Sequence, residues 1–505
     1  MMMSEPNRLH PVVVILNFIK RVKDMIIPLV VFLFFNGARS MPAGWKYAGV
    51  GVFILILVIF SVLSWLKFTY RIENGELRVE NGIFVNKKRY IPVERIQTVH
   101  VNAGLVQQAF GLVRLQAETA GGGKEAEVVL EAIHKKKAEE IWAVLYRKKQ
   151  EIENAELVLE KPADRLSLSK KEAIYKLSGR DLLFGAATSS GIGVVLSAAA
   201  AFASQIDDII PWQSIFSKFE FLSNASLALY AFAVFIGFVL AWIVSMLGVI
   251  LKYASFTIVK NEKELIISRG LLEKNQLTIP LARIQAVKIS EGILRQPFGY
   301  ASVHLFIAGG GTKGEKFSAT LFPFVKKSQI PSLLMEFAPS YTLSSELIKV
   351  SPKARARYIF GQVLPALILI IPLCIFLRPW GYLSLVFFIA AVFLGLQAHK
   401  DAGWSLKGKQ LSLSSRVFSK TTVLVLKQHM QTFRVDQSFF QKRRDLTTIN
   451  TSIISGFTGA HISLIGLDAK QALKIENWFS RRTIPPRRPM DKPSSIEEEQ
   501  FPSQP

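Results

Sequence analysis

Ile91-Pro92-Val93-Glu94-Arg95-Ile96-Gln97 and Ile279-Pro280-Leu281-Ala282-Arg283-Ile284-Gln285 are two copies of one heptapeptide, 188 residues apart. Working outward from them, Phe68–Gly123 lies over Phe256–Gly311 without a gap. Phe68-Thr69 meets Phe256-Thr257, Glu76-Leu77 meets Glu264-Leu265, and Gly82 meets Gly270. Further on, Gln108-Ala109-Phe110-Gly111 meets Gln296-Pro297-Phe298-Gly299. A more diverged third copy lies 334 residues from the first: Leu411 answers Leu77, Phe418 answers Phe84, Gln431-Thr432 answers Gln97-Thr98, and Leu446 answers Leu112. There His429 replaces Arg95, and Arg444-Asp445 replaces Phe110-Gly111. Such self-similarity marks a repeated structural unit.

Within a copy the pattern is that of strands. Glu76-Leu77-Arg78-Val79-Glu80 alternates in polarity, Leu265-Ile266-Ile267 is branched, and Asn81-Gly82 and Arg269-Gly270 read as turns. Each copy closes with a helical apolar face: Ala138, Ile141, Trp142 and Leu145; then Ile330, Leu333, Leu334 and Phe337 after Ser328 or Gln329; then Ala472, Ile475 and Phe479 after Asp468. Short strands closed by one helix describe a small β-barrel or sandwich.

Each copy follows a pair of apolar segments. The pairs are Met25–Phe35 with Trp45–Leu66, Leu182–Phe202 with Leu227–Leu251, and Tyr358–Leu377 with Tyr382–Leu396. A span needs about 20 apolar residues, so the first and last segments are short for the task. Pro11–Lys23 reads as an amphipathic surface helix leading into the first. Basic residues flank the pairs: Lys20, Arg21, Lys23, Lys67 and Arg71; Lys170, Lys171, Lys176, Arg180 and Lys252; Lys349, Lys353, Arg355, Arg357 and Lys400. The positive-inside rule then puts both termini and all three soluble domains in the cytoplasm of a multi-pass protein with six spans.

These readings divide the chain into a juxtamembrane segment 1–24, hairpins 25–66, 182–251 and 358–397, domains 67–150, 252–339 and 398–482, linkers 151–181 and 340–357, and a tail 483–505. The Pro- and Glu-rich tail has the composition of disorder. The N-terminus lacks a signal-peptide pattern and is expected to be retained.

The ordered series of membrane hairpin, strands, Pro-x-x-Arg-Ile-Gln, Gln-x-Phe-Gly, Gly-rich turn and final helix resembles the bacterial pleckstrin-homology (PH) domain family, and the three-unit order resembles its large membrane members. The resemblance covers residues 10 to 482. It implies soluble units of bent antiparallel sheets capped by a helix, and it carries no catalytic residues over.

The chain holds 505 residues with a net charge of +24. In a chain with membrane spans, such an excess points to an anionic membrane surface and away from nucleic acid. One cysteine, Cys374, excludes an intramolecular disulfide framework and a Cys-rich metal site. The seven histidines lack ligand spacing, no Ser/His/Asp set occurs, and neither a cofactor nor an enzymatic activity is expected. Gly309-x-x-x-x-Gly314 is followed by Glu315-Lys316, so the glycine runs at 121–123 and 309–311 read as hairpin turns and lack the phosphate-loop signature. Gly185, Ser189 and Gly193 form a small-residue helix face suited to close packing.

The candidate ligand or partner contacts are Lys87, Lys88 and Arg89, placed in a strand-to-strand loop, together with Arg95, Arg283 and Arg295. For the arginines in the heptapeptide the competing reading is structural, a side chain bonding nearby backbone. For the basic triplet it is a solvated loop, because Asn275, Gln276 and Leu277 stand at the matching positions. The expected function is a non-enzymatic membrane scaffold that binds a protein partner in the same membrane, a second copy, or anionic lipid weakly, in envelope maintenance or stress defence. The alternative is a transporter or lipid-handling protein with a path between hairpins. Few ionisable residues at mid-span argue against that.

Overall fold

A computed structural model describes residues 6–35, 43–73, 75–92, 95–119, 128–141, 173–189, 191, 193, 195–197, 227–308, 318–344, 346–378, 380–455 and 459–480. The glycine runs, the linker before residue 173, Trp142, Leu145 and the tail lie outside them.

The first copy supplies β2 (Thr69–Glu73), β3 (Glu76–Asn81), β4 (Lys87–Pro92), β5 (Ile96–Ala103), β6 (Leu112–Thr119) and β7 (Val128–His134). The second supplies β9 (Thr257–Lys260), β10 (Glu264–Arg269), β11 (Lys274–Pro280), β12 (Ile284–Glu291), β13 (Tyr300–Ile307) and β14 (Ser318–Lys326). The third supplies β16 (Gly403–Lys407), β17 (Gln410–Arg416), β18 (Lys420–Leu426), β19 (Met430–Asp436), β20 (Leu446–Ile453) and β21 (Ala460–Asp468). Gln97, Gln285 and Gln431 each fall second in the fourth strand of their copy.

Two compact units partition the chain: Met1–Ser345 with Val417–His429 and Ile453–Ala460, and Glu346–Arg416 with Met430–Ser452 and His461–Pro505. In the first unit, each copy packs its first three strands and its last three around one core. Tyr70, Leu77 and Ile91 meet Leu115, Leu130 and Ile141 in the first copy. Ile258, Leu265 and Ile279 meet Val303, Leu321, Leu334 and Phe337 in the second. Alternating burial along β2 and β3 is the signature of a sheet with one face on a core.

The sheets do not stop where a copy ends. β5 of the first copy pairs with β11 of the second, which makes one sheet β7-β6-β5-β11-β10-β9. β12 of the second pairs with β18 of the third. A sandwich has open edges with unpaired N–H and C=O groups, and neighbouring copies satisfy these edges for one another. The sequence pattern marks strands and their faces but carries no information about what pairs at an edge. In the second unit, β19, β20 and β21 form a three-stranded sheet, and the helix Ala469–Phe479 buries Ala472 and Ile475.

Short strands tie off the membrane hairpins. β1 (Asn7–Arg8), before the first hairpin, pairs with β2 after it; β8 (Ala173–Lys176) pairs with β9; β15 (Ile348–Lys349) pairs with β16. Side chains add to this. Trp65 Nε1 donates to the carbonyl of Leu9 at 2.8 Å, Tyr300 Oη donates to Asp181 at 2.8 Å, and the buried Arg416 Nε donates to Asp401 at 2.6 Å.

Among the described residues four helical stretches are long and apolar enough to cross a membrane: Ala48–Leu66, Val234–Tyr253, Pro352–Phe376 and Gly381–Asp401. Their apolar side chains face outward: Val234, Leu369 and Phe387 are exposed, the reverse of a soluble core. The expected six spans are therefore not all present as such. Met25–Phe35 is the second half of a continuous helix, Val13–Phe35, whose Lys20, Arg21, Lys23 and Asp24 make it too charged to count. Leu182–Phe202 is only partly described, and it starts in the helix Gly179–Ala187. In that region Ser189 Oγ lies 3.4 Å from Ser245 Oγ, a close approach on the expected small-residue face.

Two backbone positions explain residues shared among copies. Gly82 and Gly270 both have positive φ, and a Cβ at either would run into a backbone carbonyl, of Val85 or Glu273. Gly111 and Gly299 also have positive φ, and Asp445, which replaces them in the third copy, keeps it at 55°. Asp tolerates the left-handed region better than most residues, so the departure in sequence preserves the turn. Gly270→Ala should cost about 2 kcal/mol or more, since left-handed strain and a backbone clash add. Thermal unfolding of the purified full chain should show a lowered midpoint, whereas Gly237→Ala, with open space around it, should leave it unchanged.

Candidate functional site

Lys87, Lys88 and Arg89 are not in a loop: they begin β4 itself, opposite Asn81, Glu80 and Val79 of β3. The turn that precedes them ends earlier than their polarity suggests. Charged side chains are well suited to an edge strand because they discourage indiscriminate pairing. All three are exposed, as is the next residue, Tyr90 at 51 %. Lys88 Nζ lies 3.7 Å from Glu80 Oε2, and the guanidinium of Arg78 sits 5.3 Å from the Tyr90 ring centre. The strand thus presents a basic strip with one aromatic, at the end of the sheet β1-β2-β3-β4 among the described residues.

The three arginines lie elsewhere. Arg95 is exposed in the turn between β4 and β5. Arg283 occupies the matching turn of the second copy; burial pushes its guanidinium down to about 10, and its carbonyl accepts from the Ala308 amide at 3.0 Å. Its third-copy counterpart, His429, has Nδ1 3.2 Å from the Gln285 carbonyl and 3.3 Å from Tyr341 Oη, which itself donates to the Ile284 carbonyl at 2.8 Å. This position therefore stands beside a joint between copies. Arg295 is engaged within the protein. It donates to Ser302 Oγ at 3.0 Å, the Gly185 carbonyl at 3.2 Å and Thr188 Oγ1 at 3.3 Å, and its guanidinium stacks 4.7 Å from the Phe324 ring centre. It fastens the turn before β13 to the start of the second hairpin. The six candidates therefore occupy four places in the fold and do not form one pocket lining.

Sequence reading missed Tyr90 and the pairing of Gln108, whose Nε2 donates to the Leu272 carbonyl at 2.6 Å and the Ala103 carbonyl at 2.9 Å. The shared Gln-x-Phe-Gly motif thus helps to clasp the first copy to the second. Tyr90 could have been found by extending the strand back from Ile91. The partner of Gln108 could not, because it is 164 residues away.

Arg295→Ala should lower stability by about 2 kcal/mol, from lost charge-assisted hydrogen bonds, while leaving the retention of anionic lipid by the purified chain unchanged. Lys87→Glu with Lys88→Glu should do the reverse. His304 is pushed down to about 4 by burial and by the nearby Lys288, Arg295, Lys252 and Arg269. An unfolded histidine titrates near 6.5, so the unfolded chain binds the extra proton first as pH falls. Stability from this residue is complete above about pH 6.5 and is lost progressively toward pH 4. Denaturation followed between those values should show a shallower pH slope in His304→Asn.

A profile of the family described as "Bacterial PH domain" matches residues 23–149, 217–336 and 358–483. The UPF0699 transmembrane protein YdbT of Bacillus subtilis (strain 168) is 44 % identical over 488 residues, covering 95 % of this chain and 99 % of that protein. No solved structure matches the chain.

Proposed function

Because this chain belongs to the bacterial PH domain family, we propose that it is a non-enzymatic scaffold of the cytoplasmic membrane. It carries three PH-like domains, residues 67–150, 252–339 and 398–482, after hairpins 25–66, 182–251 and 358–397. One observation carries the reading: the strand before each hairpin pairs with the strand after it, β1 with β2, β8 with β9 and β15 with β16. A chain that leaves a sheet and returns to its edge must cross the membrane an even number of times in between. That supports all soluble domains lying on one face, as six spans in three hairpins require. The basic flanks of the hairpins support the cytoplasmic face.

The work of such a molecule is to hold interaction surfaces at the inner leaflet, where tethering raises effective concentration and weak contacts suffice. The exposed strip Lys87, Lys88, Arg89 favours anionic surfaces diffusely, at about 1 kcal/mol per basic residue near the bilayer and screened by salt. The dispersal of Arg95, Arg283 and Arg295 argues against a converging headgroup pocket. A role in envelope maintenance or stress defence fits a scaffold of this kind. The transporter reading would need polar residues facing one another between spans, and the Ser189–Ser245 contact is a small packing feature.

Reporter fusions after Lys149, Ala338 and Phe479 should all register as cytoplasmic, and one external reporter would break the arrangement. Crosslinking in native membranes should join the soluble domains to protein, with lipid retention that falls as salt rises. Tight, salt-resistant retention of a single lipid abolished by Arg95→Ala would replace the scaffold with a lipid receptor.

A further inference from the structure

The two joints between successive copies share one register. At the first, Lys274 faces Ala103, Asn275 faces Asn102, Gln276 faces Val101 and Leu277 faces His100. At the second, Lys420 faces Glu291, Thr421 faces Ser290, Thr422 faces Ile289 and Val423 faces Lys288. With the repeat offsets of 188 and 334, Lys274 and Lys420 both align with Asn86, and Glu291 aligns with Ala103. Every other facing pair then coincides as well. In both joints the third strand of one copy adds, antiparallel, to the fourth strand of the copy before it. Few of the facing residues are identical between the joints, so the backbone edge and its register carry the recognition.

The same two halves of a joint are left over at the ends of the series. β4 is the third strand of the first copy, and β19 is the fourth strand of the last. Among the described residues each is the outermost strand of its sheet. Both are more exposed than their paired counterparts. Lys87, Lys88 and Tyr90 of β4 are exposed, whereas Val423, Leu424 and Val425 of β18 are buried. Gln431, Thr432 and Arg434 of β19 are exposed, whereas most of β12 is buried. Carried over to these edges, the shared register sets Lys87 opposite Asp436, Lys88 opposite Val435, and Tyr90 opposite Phe433. That gives an opposite-charge pair and an aromatic pair, both favourable across strands. Arg89 meets Arg434, a like-charge pair, with Arg434 Nε held 3.1 Å from an Asp436 carboxylate oxygen.

We propose that the chain self-associates head to tail, with β4 of one copy adding antiparallel to β19 of a second in the register of the internal joints. The proposal names the partner of the scaffold and rests on that reading. A second copy is the occupant because one chain carries both complementary edges, and because its diverged copies already recognise each other this way twice. The contact is heterologous, so it extends into rings or rows along the membrane and does not stop at a two-fold dimer. Strand addition of this kind draws its affinity from main-chain hydrogen bonds.

The test uses the full chain in native membranes, in a Cys374→Ala background, with two differently tagged copies co-expressed. One carries Lys88→Cys and the other Val435→Cys. Mild oxidation should give a disulfide-linked product bearing both tags. The pair Lys88→Cys with Arg434→Cys, one residue out of register and on opposite sheet faces, should give little. The carbonyl of Thr432 faces β20, so the neighbouring Phe433 presents its N–H at the open edge; adding Phe433→Pro to the Val435→Cys copy removes that N–H and should cut the crosslink by about tenfold. The thermal midpoint of the purified variant shows whether its fold survives. Equal yields for the two cysteine pairs, or no product with both tags, would overturn the pairing. So would a different protein trapped by a photo-crosslinker at residue 88. The scaffold reading fails separately, through an external reporter or a lipid-receptor result, and it survives if the domains still crosslink to other proteins.

Discussion

Backbone hydrogen bonding at strand edges is the constraint on which this protein's soluble part depends. A β-sandwich of about 80 residues can bury one face of each sheet, but its outer strands still present N–H and C=O groups that need partners. Here β5 meets β11 and β12 meets β18, so edges that would be liabilities in a lone domain become the connection between domains. The same device acts at the membrane, where β1, β8 and β15 close back on β2, β9 and β16 and hold both ends of each hairpin at a sheet edge.

Side chains then fix how hairpin and sheet meet, and they do so differently in each unit. The first uses an indole N–H to a carbonyl, Trp65 to Leu9. The second uses Arg295 and Tyr300, which reach Gly185, Thr188 and Asp181. The third uses the buried Arg416–Asp401 ion pair. A buried ion pair contributes little net stability over a well-packed apolar contact, but breaking it strands a charge. These contacts are best understood as specifying geometry. Their diversity against a constant backbone scheme is what a duplicated unit shows when its architecture is retained and its details drift. His304 belongs to the same class: it fills space beside Thr320 and is held uncharged by desolvation and by four cationic neighbours.

Much of the candidate surface was legible, for identifiable reasons. The basic run 87–89 stands out in the sequence, and its mismatch with Asn275, Gln276 and Leu277 already hinted that the first copy differs there. The physical account is that β11 is covered by β5 while β4 ends its sheet, so one strand could lose its charges and the other keeps them. Arg95 and Arg283 look alike in sequence, yet one is exposed and the other desolvated, because exposure depends on which strand lies alongside. Arg295, in sequence a candidate contact for a ligand or partner, is a strut within the fold, since its acceptors are backbone and hydroxyl groups that have no signature at a distance.

By itself the sequence determined the repeat, the strands within it, the turns and four apolar helices long enough to cross a membrane. Those follow from local properties: alternation of polarity, runs of apolar residues, and glycines at 82, 111, 270 and 299 where φ is positive. The turn at Asp445 shows how strongly such local demands hold even where the residue changes. Only the tertiary structure decided which edge meets which. Main-chain donors and acceptors are the same in every residue but proline, so a pairing made through them leaves almost no trace in the order of side chains. The division of each copy between two sheets and the role of Gln108 at a joint became visible only once the strands were placed side by side, as did the strands β4 and β19 that end their sheets among the described residues.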